Sequence, residues 1–319
     1  MLRRDWLHGA VAASAWGLGA CSQPMPLRLG THPWIGHEPL MLARDFHWLA
    51  PEVQVMPVRA ARDSLAGLRD GRLDAATLTL DETLTARAAG VPLVAVLVLD
   101  ASSGADVLMA QPGIEHLADL RGRRLAVERS AVGELMLVKV LEAAGLAAAD
   151  LTLVELSPGD QPQAALQQHI DAAVSYEPTA SRLQRQGWKR LFDSRSLPDT
   201  IFDVLAVRRD RLKGRGTAIE SAVAGHFRGL AHLRSNRPDA TYRIASRNEV
   251  RPADVMQALA GVTLPDLAYN KTLLLPSDAM KSASQALNRL MASKQLLPRP
   301  DTLERLFDAS YLPDQEPAA

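Results

Sequence analysis

From Pro26 onward, short apolar runs alternate with amphipathic stretches, the grammar of an α/β protein. Leu27 to Gly30 reads as a strand and Pro39 to His47 as a helix with proline in its first turn. Strand Val53 to Val58, helix Arg62 to Arg69, strand Leu73 to Leu78 and helix Asp81 to Ala88 follow. Val91 to Leu99 is apolar almost without a break, as a strand covered on both faces must be. After a turn at Ser102-Ser103-Gly104 the pattern restarts: strand Leu125 to Val127, helix Gly133 to Ala144 stopped by Gly145, strand Leu151 to Leu156 and helix Gln161 to His169. Leu137, Val140, Leu141 and Ala144 form one apolar stripe along the first of these helices. Phe202 to Val207 is another strand. From Thr217 the pattern is helical with proline breaks, residues 217–310 show no convincing strand pair, and Gln315 to Ala319 should fray.

The second block reads as a degenerate copy of the first. Gly36-His37-Glu38-Pro39-Leu40-Met41-Leu42 parallels Gly133-Glu134-Leu135-Met136-Leu137, and Leu73-Asp74-Ala75-Ala76 parallels Ile170-Asp171-Ala172-Ala173, both at a displacement of 97 residues. Two matches at one displacement predict two lobes of similar build, each placing a loop and a helix N-terminus after its first strand.

A chain of 319 residues, 47% hydrophobic, is large enough for two such units. With Lys plus Arg equal to Asp plus Glu at 36 each, there is no bulk charge to hold nucleic acid or anionic lipid. The first twenty residues stand apart. Arg3-Arg4-Asp5-Trp6-Leu7 has the pattern of a twin-arginine export signal, followed by a weakly apolar stretch, Gly9 to Ala20, too short to span a bilayer. Leu18-Gly19-Ala20-Cys21 looks like a bacterial lipobox, which makes Cys21, the sole cysteine, the expected lipidation site and leaves no internal disulfide. Residues 1–20 are thus expected to be a signal peptide and 21–26 a linker, placing the protein lipid-anchored on the periplasmic side of a bacterial membrane.

Four segments in order carry a resemblance: Thr31-His32-Pro33-Trp34-Ile35-Gly36-His37-Glu38-Pro39-Leu40, Gly71-Arg72-Leu73-Asp74-Ala75-Ala76, Val127-Glu128-Arg129-Ser130-Ala131-Val132-Gly133-Glu134, and Asp171-Ala172-Ala173-Val174-Ser175-Tyr176-Glu177-Pro178. They resemble the solute-binding proteins of the nitrate, sulfonate, taurine and thiamine-precursor importers. The resemblance implies an α/β, two-lobed type-II periplasmic binding protein fold, each lobe a mixed, mostly parallel sheet flanked by helices, closing on its ligand by hinge motion. Lobe 1 is expected over 27–104 and 205–319, its helical C-terminal part packing on that lobe, and lobe 2 over 105–204. Crossovers are expected near Ser103 to Asp106 and Asp203 to Leu205. The implied partners are a small-molecule ligand, an ABC permease and its ATPase, and the membrane through the lipid on Cys21; the protein itself is expected to be a monomer. A ligand-sensing subunit of a signalling receptor remains open, because both use ligand-induced closure.

Open α/β sheets bind ligands at the carboxyl ends of their strands. In lobe 1 that points to Trp34, Gly36, Glu38, Thr79, Asp81 and Glu82; in lobe 2, to Ser130, Val132, Gly133, Glu134, Tyr176 and Glu177, with Asp106 and Asp203 at the crossovers. Ser130 to Gly133 precede a helix whose free N–H groups suit an oxyanion; Glu134 in the same turn argues against one. Two readings stand open for Trp34, stacking on a ligand or packing between lobes, and two for Glu38 and Glu177, binding or capping helices. With seven acidic candidates and Arg129 the sole basic residue among them, the expected cargo is a cationic amine or a nitrogen heterocycle such as a pyrimidine, a sulfonate or nitrate-like oxyanion being the alternative. No enzyme is expected. The family resembles a fungal pyrimidine synthase that relies on a cysteine-rich motif lacking here; no Gly-x-Ser-x-Gly elbow or phosphate loop occurs, and His37-Glu38-Pro39-Leu40-Met41 lacks the second histidine of a zinc helix. Neither a cofactor nor a metal is expected.

Overall fold

The computed structural model describes residues 25–275 and 278–318, so the export signal and Cys21 lie outside the described residues. The chain begins with β1 (Leu27–Thr31), α1 (Glu38–Asp45), β2 (Val53–Pro57), α2 (Ala61–Arg69), β3 (Ala75–Thr79), α3 (Leu80–Ala88) and β4 (Leu93–Ser102). It then builds a second sheet from β5 (Asp106–Ala110), β6 (Arg124–Val127), α4 (Ala131–Ala144), β7 (Thr152–Glu155), α5 (Gln161–Leu166), β8 (Ala172–Tyr176), α6 (Thr179–Arg185) and β9 (Lys189–Asp193). β10 (Phe202–Arg208) returns to the first sheet. α7 (Gly216–Ser235), α8 (Arg237–Asn248), α9 (Pro252–Leu259), β11 (Val262–Thr263), α10 (Leu267–Leu274) and α11 (Asp278–Ser293) follow.

The strand orders are β11-β4-β10-β3-β1-β2 and β7-β6-β8-β5-β9. Five strands therefore match one for one: β2-β1-β3-β10-β4 against β7-β6-β8-β5-β9, four running one way and one antiparallel in each. Each lobe is a strand-helix repeat of four strands into which the other end of a crossover inserts one antiparallel strand, β10 or β5. The 97-residue repeat is the sequence trace of this plan. Its Leu-Asp-Ala-Ala and Ile-Asp-Ala-Ala segments owe their likeness to one clamp. Asp74 takes the backbone N–H of Arg28 (3.1 Å) and both arms of its guanidinium (2.8 Å each); Asp171 does the same for Arg124, at 2.8, 3.0 and 2.7 Å. Each clamp ties the entry of the third parallel strand to the first.

β4 is buried along Leu93–Leu99, as its composition predicts, and divides its side chains between two cores. Leu93, Ala95 and Val98 face one with Leu78 and Leu84; Val94, Val96, Leu97 and Leu99 face the other with Val207 and Phe227. The broken alternation at Val96–Leu97 is a bulge, since Leu205 pairs with Leu97 and Ala206 with Ala95. A second bulge at Leu99 sets Asp100 directly opposite Asp203, which on its other side pairs with Thr79. Three polar residues thus end up in one row at the rim of the first sheet. Burying each Val or Leu of this strand contributes about 1.5–3 kcal/mol.

The chain passes between the sheets at residues 103–105 and 194–201. Asp203 to Leu205, where the second passage was expected, are interior to β10 and paired on both sides, because an apolar run alone does not reveal where pairing begins. The two passages are laced together: Ser102 Oγ lies 2.8 Å from Ser194 Oγ, which accepts the N–H of Gly104 (2.7 Å), and Ser102 N–H donates to the Ile201 carbonyl (2.9 Å). Gly104 adopts φ +114°, which only glycine tolerates readily.

The sequence pattern did not predict β5, α6, β9 or β11. β9, Lys-Arg-Leu-Phe-Asp, is a charged edge strand, and β11 is a two-residue pairing on β4 at Ala101 and Ser102. The C-terminal helices pack on the first lobe through α1 and α7, where a side-chain carbon at Gly229 would stand 1.8 Å from the Pro39 carbonyl oxygen. They also reach the second lobe, through Arg185–Asp254 (2.7 Å) and Lys294–Glu142 (2.7 Å). Among the described residues no helix is long and apolar enough to cross a membrane.

Candidate functional site

The carboxyl ends of the parallel strands in both lobes converge on two small cavities of about 10 Å³ each. His32, Trp34, Thr79, Glu82 and Asp203 line one from the first lobe; Glu128, Ser130, Gly133, Met136 and Ser175 line the other from the second; Asp106, Val132 and Tyr176 line both. Such volumes hold no more than about one water, so a solute enters only when the lobes part. A larger cavity of about 680 Å³ lies between α10, α11 and residues 302–307 and includes none of these strand-end residues.

On the first lobe, the loop after β1 folds over the rim row. Trp34 Nε1 donates to Asp100 Oδ2 (3.0 Å), and its ring meets Tyr176 of the other lobe edge-on at 5.6 Å. Trp34 therefore both faces the cavity and packs between the lobes. Gly36 is required because a side-chain carbon there would fall 1.8 Å from Asp100 Oδ2, so its job is close approach to a neighbouring carboxyl. Thr79 caps α3 in a reciprocal box, its Oγ1 accepting from Glu82 N–H (3.3 Å) while Glu82 Oε2 accepts from Thr79 N–H (3.0 Å). The N-terminus of α3 is already filled by a carboxyl of the chain itself.

On the second lobe, α4 begins at Ser130 without a side-chain cap. Ser130 and Ser175 each bury a hydroxyl oxygen with no hydrogen-bond partner. The first-turn N–H groups of a helix lack intrahelical acceptors, and here that turn borders the cavity through Val132 and Gly133. Gly133 allows the turn to close, since a side-chain carbon would sit 2.1 Å from the Glu128 carbonyl oxygen.

Five candidates line neither cavity: Gly36 and Asp81, both buried in the first lobe, and Glu38, Glu134 and Glu177. Glu38 is buried beneath α8, bonded to Arg247 and to Asn248 Nδ2 (2.6 Å). Glu134 pairs with Arg129 at 2.6 Å and lines neither cavity. Glu177 accepts from Ser181 N–H (3.1 Å) at the start of α6 and pairs with Arg190 (3.3 Å), so it caps and anchors. Arginines distant in sequence claim Glu38 and Glu177, and the neighbouring Arg129 claims Glu134. Conversely, the list of candidates lacked His32, His37, Asp100, Glu128 and Ser175. His37 stood in the segment after β1, and Asp100 was readable as the polar residue ending the apolar run of β4.

Asp81, Glu82, Asp100, Asp106 and Asp203 are all buried, and among the described residues none pairs with Lys or Arg. Burial pushes the Asp81 carboxyl up to about 6 and that of Asp106 up to about 7. Burial raises Glu82, with Asp81 adding to the effect, and Asp100 and Asp203 rise well above the carboxylate range for the same cause. Glu128 is raised by burial too. Burial takes His32 and His37 down to about 3, so both rings are neutral. Counting acidic residues thus overstates the negative charge: a buried, protonated carboxyl is a hydrogen-bond donor.

Comparison with known proteins agrees with this architecture. A protein of Escherichia coli (strain K12) described as "Putative aliphatic sulfonates-binding protein" is 28% identical over 247 residues, covering 75% of this chain and 76% of that one. The solved alkanesulfonate-binding protein SsuA of Xanthomonas axonopodis pv. citri, bound to MOPS, superposes with a TM-score of 0.74 at 22% identity, covering 90% of this chain and 99% of its own. The desulfurization enzyme DSZB shares the fold at a TM-score of 0.64 and 16% identity, over 90% of this chain and 97% of its own. The relatives' names include sulfonate binders and thus fit an oxyanion cargo better than the cationic amine that the acidic count suggested. The family model described as NMT1/THI5 like matches residues 37–240, and the chain belongs to that family.

Proposed function

We propose that this chain is the extracytoplasmic solute-binding component of an ABC importer, closing its two lobes over a small sulfonate-bearing solute and presenting it to a permease and its ATPase. The observation that carries the ligand class is the uncapped N-terminus of α4, flanked by the unpartnered hydroxyls of Ser130 and Ser175 at the interlobe cavity. Backbone N–H groups, hydroxyls and the positive end of a 14-residue helix suit the oxygens of a sulfonate. Neutral carboxyls facing them add donors. The sulfonate binder of Escherichia coli supports the same class. Export and lipid anchoring at Cys21 belong to this proposal and rest on the N-terminal residues alone.

A second reading is favoured by the absence of any Lys or Arg partner for the cavity carboxyls among the described residues: with those groups ionised, the site would take an amine. Thermal-shift titration with alkanesulfonates, nitrate, amines and pyrimidines separates the two. A stabilisation by alkanesulfonates is expected; stabilisation by amines alone overturns the oxyanion reading, and no shift with any compound overturns solute capture.

A further inference from the structure

At the floor of the first lobe, three side chains from three separate elements meet. His37 lies in the turn ahead of α1, Asp100 near the end of β4 and Asp203 at the start of β10. One donor atom of each lies within 4.8 Å of the other two, and all three residues are buried. The surrounding hydrogen bonds fix which ring nitrogen carries a proton. Thr77 Oγ1 donates to Thr31 Oγ1 (3.0 Å), and Thr31 Oγ1 donates to the His32 carbonyl (3.5 Å). His37 Nδ1 lies 3.2 Å from Thr77 Oγ1, 3.4 Å from Thr31 Oγ1 and 3.3 Å from the His32 carbonyl, of which the carbonyl can only accept. Nδ1 therefore holds the hydrogen, and Nε2 turns its lone pair to Asp203 Oδ1 at 3.2 Å.

Either the proton of a neutral Asp203 carboxyl or a cation that displaces it satisfies two lone pairs at that separation. Asp100 supplies a third acceptor. Trp34 occupies its Oδ2, while its Oδ1 is buried with no hydrogen-bond partner. We propose that His37, Asp100 and Asp203 form a binding site for a divalent transition-metal cation of the Zn²⁺ class. One imidazole and two carboxylates match the donor preference of such ions. The spacing of His37 Nε2 and Asp203 Oδ1 is that of two ligands on one tetrahedral ion with bonds of about 2.0–2.1 Å. An outer layer is already in place, with Nδ1–H held by Thr77 and the His32 carbonyl and Asp100 oriented by Trp34. Asp203 also lines the interlobe cavity, so a three-ligand ion would keep one position open towards an entering solute. A cation there would take the place of the carboxyl protons and give Asp100 Oδ1 a partner.

The test uses full-length protein stripped with chelator and dialysed. Zn²⁺ affinity is measured by competition with a chromophoric chelator, and Co²⁺ loading by its visible absorption. One ion per chain is expected, bound at micromolar concentration or tighter, with visible bands of a low-coordinate Co²⁺ site. Asp203→Asn and Asp100→Asn should each weaken Zn²⁺ by ~10-fold or more, and Thr77→Val, which touches only the far nitrogen of His37, by ~10-fold with the fold retained. Wild-type protein that takes up neither ion, or Asn and Val variants that bind as tightly as wild type, overturn the proposal; Thr77→Val decides the matter if either Asn variant fails to fold. Alkanesulfonate titration of the stripped protein runs alongside. Metal uptake without a sulfonate response sinks the solute reading alone, and the reverse sinks the metal site alone.

Discussion

The two lobes share a strand order, strand directions and an arginine–aspartate clamp, yet they bring different chemistry to the cavity between them. The first lines it with the neutral imidazole of His32 and the carboxyls of Glu82 and Asp203, keeps His37, Asp81 and Asp100 buried away from the lining, and fills the N-terminus of α3 with its own Glu82. The second leaves the N-terminus of α4 uncapped beside two idle hydroxyls, next to Asp106 and Glu128. The backbone frame is common; the loops at the strand ends are not. A repeated frame fixes where a ligand sits, and the unrepeated loops decide what it is.

The clamps offer the largest test of how alike the frames are. The clamp arginines are similarly exposed, 33% for Arg28 and 41% for Arg124, but Asp74 also faces the buried Arg215 at 3.6 Å, and Asp171 has no such second ion partner among the described residues. Asp74→Ala should cost about 3–5 kcal/mol and Asp171→Ala about 1 kcal/mol, read by urea denaturation. Equal losses would show that burial does not separate the two lobes. The cavity carboxyls give a smaller, pH-dependent effect. Because burial raises Asp81 to about 6 and Asp106 to about 7, their protonated forms favour the folded state. That contribution is complete below the unfolded value of about 4 and disappears as pH rises through about 7. His32 and His37, held neutral by burial, oppose this as pH passes their unfolded value of about 6.5, so the carboxyl contribution is read as the difference in Tm between wild type and variant from about pH 5 to about pH 8. Asp81→Asn in the first lobe and Asp106→Asn in the second should each gain stability relative to wild type as pH rises over this range; variants that track wild type at every pH contradict the assignment. The finest contrast is between the two helix starts. Ser130→Ala should weaken alkanesulfonate binding ~10-fold with little change in stability, while Thr79→Ala should cost about 1 kcal/mol in stability through loss of the capping box and leave affinity within ~2-fold. Calorimetry on both variants would reverse the functional division if the affinities moved the other way.

Much of this frame was legible in the residues. The apolar run of β4, Gly145 ending α4 with φ +64°, and the repeat of Asp74 and Asp171 all have local causes that a sequence displays. The errors share a physical origin in distance along the chain. Glu38 is claimed by Arg247, 209 residues away, and Glu177 by Arg190 after an intervening helix. β5 and β9 are strands because they pair with partners, and Lys-Arg-Leu-Phe-Asp has little strand pattern of its own. The acidic count misled for a different reason: it treated Asp106 and Glu82 as charges, whereas burial shifts them towards neutral acids. Periodicity alone places Ser130 and Gly133 at a helix start and Tyr176 at a strand end, where the structure has them.

The lacing of Ser102 to Ser194 bears on how such a molecule could signal its state. Two separate tethers would let the lobes twist, slide or open by degrees. Tethers bonded to each other behave as one pin, leaving rotation about a single axis as the soft movement and making shear stiff. The outer surface then has few intermediate shapes, and a membrane partner that touches both lobes at once can read occupancy from the angle between them.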